Sequence, residues 1–235
     1  MRFPDPLRRG RLLRRYKRFL ADVEFPDGEA AVAHCANPGS MLGLTEPGAE
    51  VWLSPSRNPA RKLKFSLELV RADGSLVGVN TSLPNGIVEA AIAECRVPEL
   101  GGYGSLKREV PYGANSRIDI LLNGGGAAPC YVEVKSVTLR RRAGLGEFPD
   151  AVTKRGAKHL AELAAMAEAG CRAVLFFLVQ RGDCAAVATA ADIDPAYDAA
   201  LRYAVDRGVE ILCYGCDVSP EAIELRCRLP LRLDP

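Results

Sequence analysis

Between residues 11 and 80 short apolar runs alternate with turn residues. Residues 19–25 stop at Pro26-Asp27-Gly28, residues 30–34 at Asn37-Pro38-Gly39, residues 51–53 at Pro55, and residues 64–71 at Asp73-Gly74. Strands this short and this regularly spaced predict a small antiparallel barrel or sandwich, and a five-stranded barrel with one nucleic-acid-binding face is the natural form. After Pro84 the period changes. Asn85 caps a predicted helix running to about Cys95, with Ile87, Val88, Ala91 and Ile92 on its apolar side. Strand-like runs follow at residues 104–110, 117–122 and 130–137. Asp150 caps a second predicted helix carrying Val152, Leu160, Leu163 and Ala167, and Gly170 ends it. Residues 172–179 form a continuous apolar run of buried-strand length. A helix over 195–207 and strands at 209–214 and 223–229 complete the pattern, so residues 83–235 read as an α/β layer with a mixed sheet and residues 1–82 as a small all-β domain.

The chain has 235 residues, 48% of them hydrophobic, enough to bury a core. Its 31 Lys and Arg nearly balance 29 Asp and Glu, but unevenly: residues 1–82 hold 13 basic and 9 acidic side chains. Most of that excess lies before residue 20, where Arg14, Arg15, Lys17 and Arg18 close a run opposed only by Asp5. Such a run is a solvated segment or a phosphate-attracting one. No apolar stretch follows it of the kind a secretory signal or membrane span requires, so a cytoplasmic protein is expected. The eight cysteines then read as reduced thiols rather than a disulfide framework, and Cys213 and Cys216 lack a nearby fourth ligand for zinc.

Chemistry concentrates in two strand-like runs joined by Gly124-Gly125-Gly126. Alternation puts Glu133 and Lys135 on one face, and a hairpin through the glycine turn brings Asp119 near them. Burying unpaired charge costs several kcal/mol, so strands keep such residues when they pair or hold a metal. Converging carboxylates suit Mg²⁺, with Mn²⁺ as the alternative, and a neighbouring lysine can orient water and steady charge on phosphate. An ion pair between Glu133 and Lys135 on a half-exposed strand is the plain alternative. Downstream, Lys154, Arg155 and Lys158 gather charge on one helix, where Lys158 with Glu162 is also an ordinary surface pair. Arg140 and Arg141 enter an expected loop that could grip a phosphate backbone, and Arg117 adjoins the site. His159 reads as packed. Tyr16, Phe19 and Trp52 offer rings for base stacking, with core burial the expectation for Phe19 and Trp52. No catalytic triad, dinucleotide fingerprint or P-loop is present.

The spacing of Asp119 from Glu133-Val134-Lys135 resembles the core of PD-(D/E)xK nucleases, with Ile118 where the name-giving proline would stand. Further blocks are similar to those of the sugar fermentation stimulation protein (SfsA) family: residues 18–23, His34-Cys35-Ala36-Asn37-Pro38-Gly39-Ser40-Met41, Ser116-Arg117-Ile118-Asp119, residues 132–139 and residues 148–156. The resemblance implies an amino-terminal OB-like barrel, a nuclease-like mixed-sheet domain, DNA binding (RNA as the alternative) and a part in regulating sugar catabolism. It also implies Asp119 and Glu133 as metal ligands, Lys135 as the catalytic lysine and Glu89 as a helix-borne acidic ligand. Three functions remain open: a Mg²⁺-dependent nuclease, a non-catalytic DNA-binding regulator on a nuclease fold, and an RNA-processing nuclease.

Overall fold

The computed structural model describes residues 1–113 and 116–233. The barrel is built from β1 (Arg8–Tyr16), β2 (Leu20–Glu24), β3 (Ala30–His34), β4 (Glu50–Pro55) and β5 (Phe65–Ala72), with β6 (Ser75–Gly78) added at its edge. Neighbours pair antiparallel in the order β3-β2-β1-β4-β5, and a parallel contact of Ala33 with Phe65 closes the ring. Closure removes the exposed edges that a short sheet would otherwise present. Leu12, Ala21, Val23, Leu53, Leu67 and Val70 fill the interior.

β1 is where sequence and structure part. The arginine-rich stretch is not a free segment but the central strand between β2 and β4. Leu12 points inward at zero exposure, while a Cβ on Gly10 would lie 2.6 Å from the Val23 side chain, so only glycine fits there. Residues 1–7 precede the barrel strands, and Arg57 of the barrel domain holds Asp5 at 2.7 Å. The Met1 amino group donates to Ile223 O at 2.7 Å and Phe3 N to Glu221 O at 3.0 Å, tying the chain's start to the second domain.

That domain opens with α1 (Pro84–Ala93), continues through β7 (Ser105–Tyr112), β8 (Ser116–Asn123) and β9 (Cys130–Val137), and then makes β10 (Leu139–Arg142) and β11 (Gly144–Phe148). There follow α2 (Lys154–Glu168), β12 (Arg172–Val179), β13 (Cys184–Thr189), α3 (Pro195–Asp206), β14 (Glu210–Val218), β15 (Ile223–Arg228) and β16 (Leu231–Arg232). The main sheet has the order β15-β14-β12-β9-β8-β7, with β9, β12 and β14 parallel at its centre. Val174, Phe176 and Leu178 pack towards α1, and Leu175, Phe177 and Val179 towards α2 and α3, which explains the unbroken apolar run. A smaller sheet, β10-β11-β13-β16, flanks it. β10, β11 and β13 went unread because arginine, glycine and alanine carry little strand signal. Their pairing is a tertiary effect. The helix starts also differ: α1 begins at Pro84 with Asn85 inside its first turn, and Thr153, not Asp150, caps α2 by accepting from Gly156 N. Val152 is left 67% exposed outside the helix.

The two domains share a continuous seam. Trp52 and Leu69, on the outside of the barrel, join the core beneath α1. Gly78 N donates to Gln180 O at 2.8 Å across the seam, and within the barrel domain Asn37 Nδ2 holds Val79 O at 3.0 Å. Arg181, 1% exposed, grips Asp183 with two hydrogen bonds (2.6 and 2.8 Å), donates to Thr138 O, and reaches Asp73 of the barrel at 3.0 Å. Asp150 receives Ser40 Oγ and Met41 N on the opposite side. No helix among the described residues is long and apolar enough to cross a membrane.

Removing one member of a buried charge network strands its partners. Arg181→Met is expected to destabilise the protein by about 3 kcal/mol, the low end of that class because Asp73 and Asp183 keep access to water. Thermal unfolding should show a fall in Tm of roughly 6–12 °C.

Candidate functional site

The β8–β9 ladder runs through Leu122–Cys130, Leu121–Tyr131 and Ile120–Val132 and then opens. At the opening Asp119 takes over from the backbone: its Oδ2 accepts from Val134 N at 2.7 Å, where the next ladder bond would fall. Asn85, in the first turn of α1, donates to Oδ1 at 2.8 Å. Glu133 and Lys135 project from the same face of β9, and Lys135 Nζ lies 2.6 Å from Glu133 Oε1. His159, brought over by α2, contacts the same oxygen through Nδ1, while its Nε2 accepts from Arg155 Nε at 3.2 Å.

These groups line a cleft of about 410 Å³ at the seam, with Asp119, Glu133, Lys135 and His159 on one side and Asn37, Pro38 and Gly39 of the barrel on the other. Glu133 is only 2% exposed, and its Oε2 is buried without a hydrogen-bond partner among the described residues. Burial works to raise the Glu133 carboxyl, but hydrogen bonding from His159 and the charge of Lys135 outweigh it and hold it below the usual range. Asp119 goes the other way. Burial and the adjacent charge of Glu133 push it up, against the opposing hydrogen bond from Val134 N.

Among the described residues no three His, Cys, Asp or Glu side chains converge as a metal cage. Two carboxylates lining a cleft are nevertheless the protein share of many Mg²⁺ sites, where water and phosphate oxygens complete the sphere. The orphaned Oε2 of Glu133 and the mutual repulsion of the two carboxylates fit that donor set.

Glu89 does not reach the cleft; it pairs with Arg108 at 3.2 Å, its side chain 39% exposed. Arg140 and Arg141 lie on β10 rather than a mobile loop. Arg140 pairs with Asp73 and Asp183, and Arg141 with Glu147 and Asp192, whose carboxyl it holds down at about 2. Arg14 pairs with Asp22, and Arg15 donates to the carbonyls of Arg18, Asn37, Gly39 and Ser40, so it organises the barrel's cleft loop. Arg117 donates to Glu109 O, and Lys158 pairs with Glu162 at 3.5 Å. Lys17, Arg18 and Lys154 are exposed with no side-chain partner among the described residues. Trp52 is buried in the seam, but Phe19 is 47% exposed, against the expected core position. Sequence reasoning placed Asn85 as a helix cap and did not bring it to Asp119; His159 is buried as expected, and its contact with Glu133 is what the sequence did not show. For His159 the i,i+4 spacing from Arg155 was the one legible signal.

A second groove of about 560 Å³ continues from the cleft over Pro38, Gly39, Phe148 and Asp150 to Arg15 and Arg18. Barrel, mixed sheet and cleft define a class: an OB barrel joined to a mixed-sheet domain, with two carboxylates and a lysine lining the cleft at their seam. A family model described as "SfsA N-terminal OB domain" matches residues 13–79, and one described as "Sugar fermentation stimulation protein RE domain" matches residues 82–222. A sugar fermentation stimulation protein homolog of Rhodospirillum centenum is 61% identical over 223 residues, covering 95% of this chain and 96% of the relative. Another, from Paramagnetospirillum magneticum, is 57% identical over 234 residues, covering 100% and 98%. The solved structure of Pyrococcus furiosus SfsA in complex with Ca²⁺ superposes with a TM-score of 0.89 at 28% identity, covering 99% of this chain and 98% of that one. The chain belongs to the sugar fermentation stimulation protein family.

Because folding raises the Asp119 carboxyl above its ordinary value of 3.8, the ionised group subtracts stability once the pH climbs past that value, and subtracts fully above the raised one. Asp119→Asn removes the charge, and a flip of the Asn85 amide lets it keep both hydrogen bonds. The variant is expected to melt a few degrees above the metal-free wild type at neutral pH, with the difference shrinking as pH falls towards 3.8; differential scanning calorimetry across pH checks this.

Proposed function

We propose that the chain is a divalent-metal-dependent phosphodiesterase acting on nucleic acid, with DNA as the leading substrate and Mg²⁺ as the physiological ion. One observation carries the reading: the bare, buried Oε2 of Glu133 beside Asp119 at the floor of a cleft. The Ca²⁺ held by the Pyrococcus furiosus relative supports a hard cation with oxygen ligands. Asp119 and Glu133 would hold the ion. When bound it would supply Lewis acidity and a more acidic water.

The chain's own residues do the rest. Val134 N and Asn85 fix the Asp119 carboxylate. Lys135, tethered to Glu133 and 15% exposed, turns its remaining protons to the cleft, where they orient a water and stabilise charge growing on phosphate oxygens. Asn37, Pro38 and Gly39 wall the opposite side, and the groove to Arg18 carries the strand's backbone. Eight free thiols fit a reducing, cytoplasmic setting. The connection to sugar catabolism rests on the family's name.

The second reading, a non-catalytic nucleic-acid-binding regulator, is favoured by the lack of a third metal-binding side chain among the described residues. Cleavage assays on single- and double-stranded DNA and RNA with Mg²⁺ or Mn²⁺, run beside calorimetric metal titration, separate the two. The nuclease reading expects metal-dependent cleavage by the wild type, loss of metal binding in Asp119→Asn, and a fall of at least about 100-fold in cleavage for Lys135→Ala. Unchanged cleavage in Lys135→Ala overturns the assignment of roles, and salt-sensitive binding without cleavage by any divalent ion establishes the regulator.

Lys17 and Arg18 hold left-handed backbone (φ 48° and 62°), a conformation that costs about 1 kcal/mol or more per non-glycine residue. Strain retained at a cationic turn facing a groove fits a binding role. Arg18→Gly is expected to stabilise the fold by about 1 kcal/mol while weakening nucleic-acid binding and lowering the salt slope by about 1. Thermal melts and binding titrations at several salt concentrations check both halves.

A further inference from the structure

We infer that His159, its tautomer fixed by Arg155, is a positioning residue that makes Glu133 a one-sided ligand, with Oε1 saturated and Oε2 the single open donor. This deepens the metal-site reading above and rests on it.

The chain of contacts starts at the helix. Thr153 sets the start of α2, and Gly156 lets that first turn settle close to α3: a Cβ there would lie 2.8 Å from the Thr153 methyl and 3.0 Å from the Tyr197 ring. This register turns Arg155 and His159 to the same side, one turn apart, with His159 5% exposed against β9. The guanidinium always carries its protons, so Arg155 Nε must donate and His159 Nε2 must accept. The ring proton is therefore on Nδ1, which donates to Glu133 Oε1. Lys135 Nζ donates to that oxygen as well. Two donors occupy both lone pairs of Oε1, and Oε2, though buried, has no hydrogen-bond partner among the described residues.

Without His159 the carboxylate can rotate and offer either oxygen to Lys135, so which oxygen is left without a donor is no longer set. The role differs from catalysis because His159 acts only through Glu133. It also differs from packing, because shape alone would not fix which oxygen is free.

The chain has two histidines, His34 and His159, so ¹⁵N NMR of the metal-free protein resolves the ring directly. Recorded where the ring is neutral, the expected tautomer carries its proton on Nδ1, and a neutral ring protonated on Nε2 overturns the inference. Titration calorimetry with Mn²⁺ then compares the wild type with three variants. His159→Leu, which keeps bulk and removes the donor, is expected to weaken Mn²⁺ roughly 10–100-fold. His159→Asn, whose amide nitrogen lies where Nδ1 does, should recover most of that loss. Arg155→Met frees the tautomer from an exposed position without emptying the interior, and should weaken Mn²⁺ several-fold with mixed ring protonation. It serves as the test should His159→Leu not fold. Wild-type affinity in all variants, with the wild type binding Mn²⁺, overturns this inference and leaves the metal-site reading standing. A wild type that binds no divalent ion overturns both.

Discussion

The second domain is organised around one electrostatic constraint: a carboxylate sits at 2% exposure on the central β9 of a six-stranded sheet. Left alone it would cost several kcal/mol and would take up a proton instead. Its neighbours are arranged to prevent that. Lys135 lies two residues on along the same face, and His159 comes over on α2. Together they reverse the effect of burial on Glu133. They satisfy only one of its oxygens, so the compensation is deliberately incomplete in the chemical sense: half the carboxylate still lacks a partner. The break in the β8–β9 ladder belongs to the same arrangement. Continued pairing would have consumed Val134 N and left the Asp119 carboxylate held through one oxygen only, by Asn85.

The barrel matters because the cleft has walls from both domains. Asn37, Pro38 and Gly39 belong to the first, yet their loop is fixed by Arg15 from within the barrel and by Asp150 from the second domain through Ser40 and Met41. Asp150 therefore does more in the fold as an interdomain anchor than it would have done as a helix cap. On the far side Arg181, Asp73 and Gly78 close the seam. Attachment at both ends gives the cleft a set width, which a site for an extended polymer needs if reacting groups are to be held within fractions of an ångström.

Much of this was legible in the sequence because it depends on local periodicity. The strands at residues 19–25, 30–34, 64–71 and 172–179, the glycine-turn hairpin and the shared face of Glu133 and Lys135 all follow from alternation and turn chemistry. What the sequence concealed depends on partners distant in the chain. β1 looked like a charged tail because its neighbours, β2 and β4, supply the reason for Gly10 and Leu12 to turn inward. The arginines of β10 looked like a phosphate grip because Glu147, Asp183 and Asp192 come near only once β11 and β13 are in place. Asn85 and Asp150 have residue types that cap helices, and each was drawn away by a stronger tertiary partner. Glu89 shares a helix with Asn85, but its side chain meets Arg108 outside the cleft.

Charge accounting ties these threads together. Arg8, Arg9, Arg14, Arg140 and Arg141 are matched by carboxylates, so the basic content of the chain creates far less positive field than its sequence suggests. On the cleft floor the two carboxylates of Asp119 and Glu133 outnumber the one ammonium of Lys135, a formal excess of one negative charge that would repel a phosphodiester. A divalent ion at Asp119 and Glu133 would reverse that sign to a single positive charge, the complement of one phosphate. Arg18, unpaired among the described residues, then adds attraction along the groove rather than at its floor. In the proposed reading substrate and metal therefore bind with positive coupling: each lowers the electrostatic cost of the other, and the bare oxygen of Glu133 is the point at which the two meet.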